Sequence, residues 1–357
     1  MNIRIKWLRD QLKSMKLDGM IVSNPINVKY LTGLEEEGIF IVAPKENVFI
    51  TDTRYMESVN NKLTIADEIV AYDIRNMSKY DYEGIFMSCT DVGFEEKYVT
   101  YEMYKKYLQM YQVNLVETEG IIENHRMVKD EEELKWIQKA CEITDEAFAY
   151  VKDILHYGMS EKELCFAIEK FMINQGADGL AFDSIVAFGE NTSMPHAVPT
   201  NRTLQSGDII QLDIGAKYQG YCADFSRVIF VDEMKIEYKE AYDFVLEQQR
   251  KIVQNLKDGI NIKQEIKNRE ADYRLKHYEI LHSFGHGVGL DIHEEPILNS
   301  KMDLYLKENS ILAIEPGVYQ QGKFGIRIED TYHIKKNSCI NLTKSGKEYS
   351  VVNLKNT

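Results

Sequence analysis

Residues 211–227 of the chain read Gln-Leu-Asp-Ile-Gly-Ala-Lys-Tyr-Gln-Gly-Tyr-Cys-Ala-Asp-Phe-Ser-Arg. An apolar run over 209–214 stops at a segment bounded by glycines and resumes over 221–231, which predicts two antiparallel strands around a short loop. Each predicted strand carries one carboxylate, Asp213 or Asp224. Burying a carboxylate in an apolar strand is costly without a compensating cation or donor, so the pair suggests a shared cation.

The chain downstream adds further candidate ligands. Taken alone, Asp213 could cap the turn and Asp224 could face solvent on an edge strand, because isolated aspartates are common in hairpins. Residues 283–296, however, place two histidines among glycines, where the backbone can approach a ligand closely. The segments 314–319 and 325–330 each place a glutamate in an apolar, β-branched context. In chain order, the five candidate metal ligands are Asp213, Asp224, His286, Glu315 and Glu329.

The chemistry of these five side chains indicates the kind of metal. Carboxylates and imidazole without cysteine favour Mn²⁺, Co²⁺ or Zn²⁺ over metals that prefer thiolates. Four anions around one histidine repel each other strongly, so about two divalent cations are needed to keep them ionised together. The candidate ligand set therefore predicts a site for two metal ions.

The order of these ligands and the sequence around them resemble the metallopeptidase family that includes methionine aminopeptidase, aminopeptidase P and prolidase. The last two are Xaa-Pro peptidases, and the family has the so-called pita-bread fold. The resemblance covers essentially the whole chain, from the opening helix to beyond Glu329. It implies an α+β fold, in which a small N-terminal creatinase-like α/β domain, residues 1–122, precedes a pita-bread (creatinase/aminopeptidase-like) catalytic domain, residues 123–357.

The resemblance also implies a role for each candidate ligand. In the family's pattern, Asp213 chelates one metal, Asp224 and Glu329 bridge both, and His286 and Glu315 complete the second. The attacking water would lie between the two metals, which are expected to be Mn²⁺, with Co²⁺ or Zn²⁺ as alternatives. Such a water loses its proton far more easily than bulk water. Glu315 is the residue expected to move the proton from this water to the leaving nitrogen.

Other residues match family positions near the substrate or near the metal carboxylates, and His282 also resembles a family position. His196, after Met194 and Pro195, and His293 resemble residues that line the substrate pocket and stabilise the tetrahedral intermediate or orient the peptide. Taken alone, His196 could be an ordinary loop residue. Arg327 matches an arginine near the metal carboxylates, which it would brace through paired hydrogen bonds.

Two residues near the predicted ligands are left out of the predicted site. Tyr319 follows Glu-Pro-Gly and is expected to be a packing residue rather than an acid catalyst. Cys222 lies two residues before Asp224 but need not reach a metal. The five cysteines are scattered, odd in number and without C-x-x-C spacing, which predicts neither a disulfide framework nor a zinc knuckle.

The composition of the chain limits which binding partners and which cellular compartment are expected. The 357 residues include 57 acidic and 43 basic ones, and the net charge of −14 argues against general binding of nucleic acid. The N-terminus lacks an apolar signal-like segment, and no apolar run reaches the length of a membrane span. A cytoplasmic protein is expected, and the resemblance implies proline-containing peptides as substrates and a homodimer.

Periodicity predicts the elements that carry these residues. Apolar positions from Leu134 to Leu155 recur every three or four residues and predict a long helix that ends at Gly158. Ser160 to Glu163 has the form of a capping box, and a third helix is predicted over 237–257. The predicted strands are 19–23, 39–43, 48–51, 69–72, 91–94, 184–188, 209–214, 221–231, 311–314, 324–328 and 332–334.

The resemblance implies a metal-dependent exopeptidase that hydrolyses the bond between an N-terminal residue and proline. Within that class, an Xaa-Pro aminopeptidase is preferred, and an Xaa-Pro dipeptidase (prolidase) is the alternative. A methionine aminopeptidase is disfavoured because simple members of that kind resemble only the C-terminal portion. A creatinase-like hydrolase without metal, or a catalytically silent module that binds peptides or proteins, would have lost the ligands that this chain retains.

Overall fold

The computed structural model describes residues 2–64, 68–301 and 303–354. The chain divides into two compact units, Met1–Arg126 and Met127–Thr357, which are called the N-terminal and C-terminal units. Both units combine helices with sheets, so the predicted α+β class is confirmed. Among the described residues, none of the helices combines the length and the hydrophobicity that a membrane span requires.

The N-terminal unit is built around one six-stranded sheet. Its helices are α1 (Ile3–Ser14), α2 (Pro25–Thr32), α3 (Thr53–Lys62), α4 (Lys79–Ile85), α5 (Tyr101–Tyr111) and α6 (Ile121–Arg126). Its strands are β1 (Gly19–Val22), β2 (Gly38–Val42), β3 (Asn47–Thr51), β4 (Ile69–Asp73), β5 (Asp91–Phe94) and β6 (Asn114–Glu117). The strand order is β4-β3-β2-β1-β5-β6. The five strands predicted here are confirmed to within a residue, whereas β6 was not predicted.

The described part of the C-terminal unit, residues 127–301 and 303–354, has four long helices and several small sheets. The helices are α7 (Glu131–Ile154), α8 (Glu161–Asn174), α9 (Ile236–Asn255) and α10 (Lys263–Leu275). The first strands are β7 (Gly179–Leu180), β8 (Ile185–Phe188), β9 (Ile209–Ile214), β10 (Ala216–Tyr218), β11 (Tyr221–Cys222), β12 (Phe225–Val231) and β13 (Gly285–Gly287). The remaining strands are β14 (Ile311–Ile314), β15 (Gly317–Gln320), β16 (Phe324–Arg327), β17 (Asp330–Ile334), β18 (Cys339–Asn341) and β19 (Ser350–Val352).

Two four-stranded sheets dominate this unit. Their strand orders are β19-β12-β9-β8 and β13-β14-β17-β18. Every residue of β9 and β12 is buried, because helices cover both faces of the first sheet. Ile210 and Leu212 pack in the cluster that includes residues of α7 and α8, whereas Ile209 packs in the cluster that includes residues of α9 and α10. This layering places the strands that carry the candidate ligands at the centre of the unit.

Sequence signals explain the ends of the helices. Asp130 caps α7 and forms a capping box with Glu133, and Ser160 forms the predicted capping box with Glu163 at the start of α8. The predicted end of the long helix at Gly158 was wrong by several residues. The helix ends at Ile154, because Leu155 has extended backbone angles.

The segment 221–231 corrects the prediction of one continuous strand. Antiparallel pairing of β9 with β12 is confirmed, and Asp213 lies opposite Ser226. Asp224, however, lies between β11 and β12 rather than within a strand. Thr331 accounts for the break, because its hydroxyl donates to the carbonyl of Asp224 at 2.9 Å and receives the Asp224 N–H at 3.3 Å.

Helix α10 was not predicted because its sequence is mostly polar. Its buried residues are Ile266, Arg269 and Tyr273, a stripe too narrow to produce a clear apolar period. Strand β13 is Gly-His-Gly and lacks strand-forming residues altogether. A side chain at Gly285 would lie 2.1 Å from the carbonyl oxygen of Ala313, so the approach of β13 to β14 requires glycine there.

We expect Ser160→Ala to lower the free energy of unfolding by about 1 kcal/mol, because it removes a helix cap. Ser160 accepts from the backbone N–H of Glu163, and its hydroxyl donates to the Glu163 carboxylate at 2.7 Å. Urea unfolding followed by circular dichroism measures the change. Ser338→Ala, on an exposed bend of the same unit, is the matched control. Equal stability of both variants would contradict the role of the cap.

Candidate active site

The five candidate ligands come from different elements and line one cavity of about 550 Å³. They lie in β9 (Asp213), before β12 (Asp224), in β13 (His286), after β14 (Glu315) and before β17 (Glu329). The same cavity is lined by His196, His293 and Arg327. All eight residues named from the sequence therefore lie around a single cavity.

Strand register brings two of these positions, Asp213 and Glu329, to either side of Ser226. Asp213 lies opposite Ser226 in the β9–β12 ladder, and Ser226 forms an antiparallel bridge with Glu329. Ser226 also donates its hydroxyl hydrogen to Glu329 Oε2 at 2.9 Å. A row of three residues across the sheets thus connects two carboxylates that are 116 positions apart in the chain.

The tightest part of the cluster surrounds His286. One ligand atom each from Asp224, His286 and Glu329 lies within 4.8 Å of the others. His286 Nε2 is 3.4 Å from Asp224 Oδ2 and 3.8 Å from Glu315 Oε1. The other ring nitrogen, Nδ1, is 3.0 Å from the carbonyl oxygen of Gly287 and must donate to it. Nε2 is therefore the nitrogen that can offer a lone pair to a metal.

Electrostatics in the cavity disfavour simultaneous ionisation of the four carboxylates. Burial, and then the neighbouring carboxylates, raise the pKa values of Asp224 and Glu329 above the ordinary range. Burial also raises the pKa of Glu315. Burial alone would lower the pKa of His286, but the hydrogen bond and charge of Asp224 outweigh it and raise the pKa to about 9. Without added positive charge the cluster retains protons.

Two carboxylate oxygen atoms indicate whether these residues can bind metal ions. Asp213 Oδ1 and Glu329 Oε1 are buried and have no hydrogen-bond partner among the described residues. An unsatisfied buried carboxylate oxygen is costly, and a cation satisfies it. Together with the carboxylates of Asp224 and Glu315 and the Nε2 of His286, they form a set of oxygen and nitrogen donors that suits divalent ions. The residues present fit the expected metals.

Arg327 is a buried cation among these carboxylates. Its Nη2 donates to Asp213 Oδ2, and its Nε donates to Ser226 Oγ at 2.9 Å. Because Ser226 in turn donates to Glu329, the guanidinium acts on one carboxylate directly and on a second through a hydroxyl. Burial alone would lower the pKa of Arg327. The interactions with Tyr319 and Asp213 outweigh burial and hold that pKa well above the usual range.

Tyr319 is more than the packing residue that was expected. Its hydroxyl accepts a hydrogen bond from Arg327 Nη1 at 2.6 Å and lies 2.9 Å from His282 Nε2. His282 Nδ1 lies 2.8 Å from the carbonyl oxygen of Ser283 and donates to it, so Nε2 accepts from the tyrosine. Burial, and then Arg327, lower the pKa of His282 to about 4, so this imidazole is neutral.

His196 and His293 lie on the wall of the cavity, and both side chains are exposed. The His293 ring meets the His286 ring edge to face, with 4.5 Å between the centroids. Burial and then His286 lower the pKa of His293. Arg327 Nη1 donates to the backbone carbonyl of Pro195 at 3.2 Å. This hydrogen bond restrains the backbone just before His196.

Sequence reasoning missed the hydroxyl residues that support the ligands. Ser226 orients Glu329, and Thr331 holds the backbone of Asp224. Each lies two residues from a predicted ligand, and alternation along a strand could have placed both on the ligand-bearing face. The partner that each hydroxyl takes lies more than 100 residues away and is not readable from local sequence.

Comparison with protein-family models finds two matches. Residues 4–128 match the creatinase/prolidase N-terminal domain, and residues 135–336 match metallopeptidase family M24. An Xaa-Pro dipeptidase from Pyrococcus horikoshii is 32% identical over 361 residues, which cover 98% of this chain and 99% of the relative.

Solved structures of similar chains include both kinds of Xaa-Pro peptidase. The Xaa-Pro dipeptidase from Bacillus anthracis has a TM-score of 0.90 and 32% identity, with 98% of this chain and 99% of that chain covered. The X-Pro aminopeptidase from Thermotoga maritima has a TM-score of 0.90 and 29% identity, with the same coverage. The expected resemblance and the expected two-domain fold are confirmed.

We expect Asp224→Asn to weaken binding of Mn²⁺ by at least about tenfold, because it removes an anionic oxygen from the tightest part of the cluster. Equilibrium dialysis with elemental analysis measures the bound metal. Asp183→Asn changes an exposed carboxylate that lines the same cavity outside the ligand set and serves as the control. Wild-type affinity in the Asp224 variant would contradict its assignment as a ligand.

Proposed function

The chain belongs to metallopeptidase family M24, and on that premise we propose that it is an Xaa-Pro aminopeptidase, which removes an N-terminal residue that precedes proline. The observation that carries the proposal is the convergence of four carboxylates and an imidazole in one cavity, with two buried carboxylate oxygens left without hydrogen bonds among the described residues. The names of the relatives from Pyrococcus horikoshii and Thermotoga maritima support the choice of proline as the second residue.

In this proposal, the five clustered side chains hold two divalent cations. These side chains would be those of Asp213, Asp224, His286, Glu315 and Glu329. Bound divalent cations supply a Lewis acid that makes the attacking water acidic enough to act near neutral pH. Arg327 keeps Asp213 in place through a charge-assisted hydrogen bond.

Glu315 is proposed to carry the proton during hydrolysis. An Xaa-Pro bond is a tertiary amide without an N–H, so its nitrogen must gain a proton as it departs. Glu315 lines the cavity, with one oxygen 3.8 Å from His286 Nε2 and the other 3.5 Å from His282 Nδ1. A carboxylate there can take a proton from the attacking water and deliver it to the departing nitrogen.

The histidines of the wall are proposed to hold the substrate during this transfer. His196 and His293 line the cavity, and each imidazole can donate or accept a hydrogen bond at the peptide. Arg327 donates a hydrogen bond to the backbone carbonyl of Pro195, just before His196, and another to Asp213. One guanidinium therefore couples the position of a substrate contact to that of a metal ligand.

The charges of the cavity favour the aminopeptidase over the dipeptidase. A dipeptide ends at its proline, and its carboxylate would need a positive partner in addition to the two cations, whose charge the four clustered carboxylates balance. Among the described residues that line the cavity, Arg327 is the one Lys or Arg, and all three of its nitrogens are engaged within the protein. The lining also includes the apolar side chains of Phe182, Val198, Ile292 and Ile297.

The Xaa-Pro dipeptidase remains the second candidate, because the relatives from Pyrococcus horikoshii and Bacillus anthracis carry that name. The two activities differ in the group that the substrate carries on the carboxyl side of proline. A free carboxylate on the proline would need a positive partner, whereas a continuing peptide or an amide would not.

We expect Ala-Pro-Ala and Ala-Pro-amide to be hydrolysed with kcat/KM at least about tenfold above that of Ala-Pro, because neither places a carboxylate on the proline. A tenfold ratio corresponds to about 1.4 kcal/mol of transition-state binding. Release of free alanine in the presence of Mn²⁺ measures each rate, with Ala-Ala-Ala as the control for the proline requirement. Hydrolysis of Ala-Pro alone would establish the dipeptidase instead.

We expect Glu315→Gln to lower kcat by about 10² to 10⁴, because an amide cannot carry the proton. The melting temperature should stay near that of the wild type, since glutamine has the same shape. Steady-state kinetics at measured metal content gives the effect, and Glu237→Gln, on the exposed start of α9, is the control. A variant with wild-type kcat would exclude Glu315 as the proton carrier.

A further inference from the structure

Gln249 is a fully buried amide in α9 that does not line the cavity. We propose that Gln249 is a positioning residue, which sets the separation of the two glutamate ligands Glu315 and Glu329. The inference rests on the ligand set of the proposed function. It adds a residue that acts on two of the ligands through hydrogen bonds to the backbone that carries them.

The contacts of the Gln249 side chain reach the peptides that precede both glutamates. Its Nε2 donates to the carbonyl oxygen of Ile314 at 3.1 Å and to the carbonyl oxygen of Ile328 at 3.2 Å. It also lies 3.1 Å from Asp330 Oδ2. Each carbonyl belongs to the same planar peptide unit as the N–H of the following glutamate. Holding the two carbonyls with one nitrogen therefore fixes both glutamate backbones relative to each other.

Lys347 fixes which way the amide points. Its Nζ lies 2.8 Å from Gln249 Oε1 and also contacts Asp330 Oδ2 and the hydroxyl of Tyr332. An ammonium can only donate, so the atom that faces it must be the amide oxygen. The amide nitrogen is then the atom that faces the two carbonyls, and the orientation follows from the chemistry of its neighbours.

The position of Gln249 coincides with a gap in an antiparallel strand pairing. Pairing of β14 with β17 ends at Ile314 and Asp330, the residues next to the glutamates. Regular pairing is interrupted at Glu315 and Glu329, which repel each other as anions, and resumes in the same register at Gly317 and Arg327. The Gln249 amide connects the two backbones across this gap, through the carbonyls of Ile314 and Ile328.

Gln248 shows what an ordinary buried glutamine does in the same helix. It is 1% exposed, against 0% for Gln249, and its Oε1 accepts from Arg269 Nη1 of α10 at 3.3 Å. That bond joins two helices and involves no residue next to a proposed ligand. Gln248 is therefore a control matched in residue type, helix and burial.

The test measures metal binding of the full-length protein without a substrate. Gln249→Met keeps the length of the side chain but removes both polar groups. Titration of metal-free protein with Mn²⁺, followed by the paramagnetic resonance of free Mn²⁺, gives the affinity. The visible absorption of bound Co²⁺ reports the ligand geometry. We expect the affinity to fall about ten- to hundredfold and the Co²⁺ spectrum to change, as happens when residues that orient the ligands of other metal sites are removed.

The matched control separates positioning from general destabilisation. Gln248→Met should lower the melting temperature to a similar extent while binding Mn²⁺ as the wild type does. Equal losses of affinity in both variants would overturn the inference, as would wild-type affinity and spectrum in Gln249→Met. If the wild type bound neither Mn²⁺ nor Co²⁺, the ligand set of the proposed function would fall first, and this inference with it.

A second variant decides the matter if Gln249→Met does not fold. Lys347→Met leaves Gln249 in place but removes the ammonium that orients its amide, while Asp330 keeps its ion pair with Arg227. We expect a smaller fall in Mn²⁺ affinity, of about tenfold, with the same direction of change in the Co²⁺ spectrum. Unchanged affinity and spectrum in this variant would overturn the inference.

Discussion

Four carboxylates gathered in one buried cavity are the constraint on which the rest of the C-terminal unit depends. Burial and mutual repulsion raise the pKa values of Asp224, Glu315 and Glu329, so assembling the cluster costs free energy before any cation binds. Burial of apolar side chains on both faces of the sheet that carries β9 and β12 offsets this cost. Cation binding would then be favourable, because the folded chain already holds the oxygen and nitrogen donors close together.

The protein holds these anions mainly with hydrogen bonds from outside the ligand set. Arg327 and Ser226 act on the carboxylates themselves, whereas Thr331 and Gln249 act on the backbone that carries them. Backbone contacts restrain a ligand without occupying the oxygen that a metal needs. In the proposed function, the apolar walls of the cavity leave peptide recognition to shape and to a few histidines, which suits a substrate defined by the ring of proline.

Much of the fold and of the candidate site could be predicted from the sequence, for reasons that are local. Strand 209–214, the capping box at Ser160 and the third helix follow from apolar periodicity and capping chemistry, which depend on near neighbours. Helix α10 was missed because its buried stripe is narrow and polar. Asp224 was assigned to a strand that breaks there, because its backbone bonds to Thr331, a partner that no local pattern reveals.

The sequence by itself determined the types and order of the candidate ligands, since side-chain chemistry is written at each position and the motifs follow one another along the chain. Only the tertiary structure decided which atoms meet. Two contacts depend on pairing between distant segments: the hydroxyl of Tyr319 lies between His282 and Arg327, and the amide of Gln249 binds the backbone next to the glutamates. Such pairing is set by strand register and by packing of whole layers, which are properties of the folded chain rather than of any stretch of it.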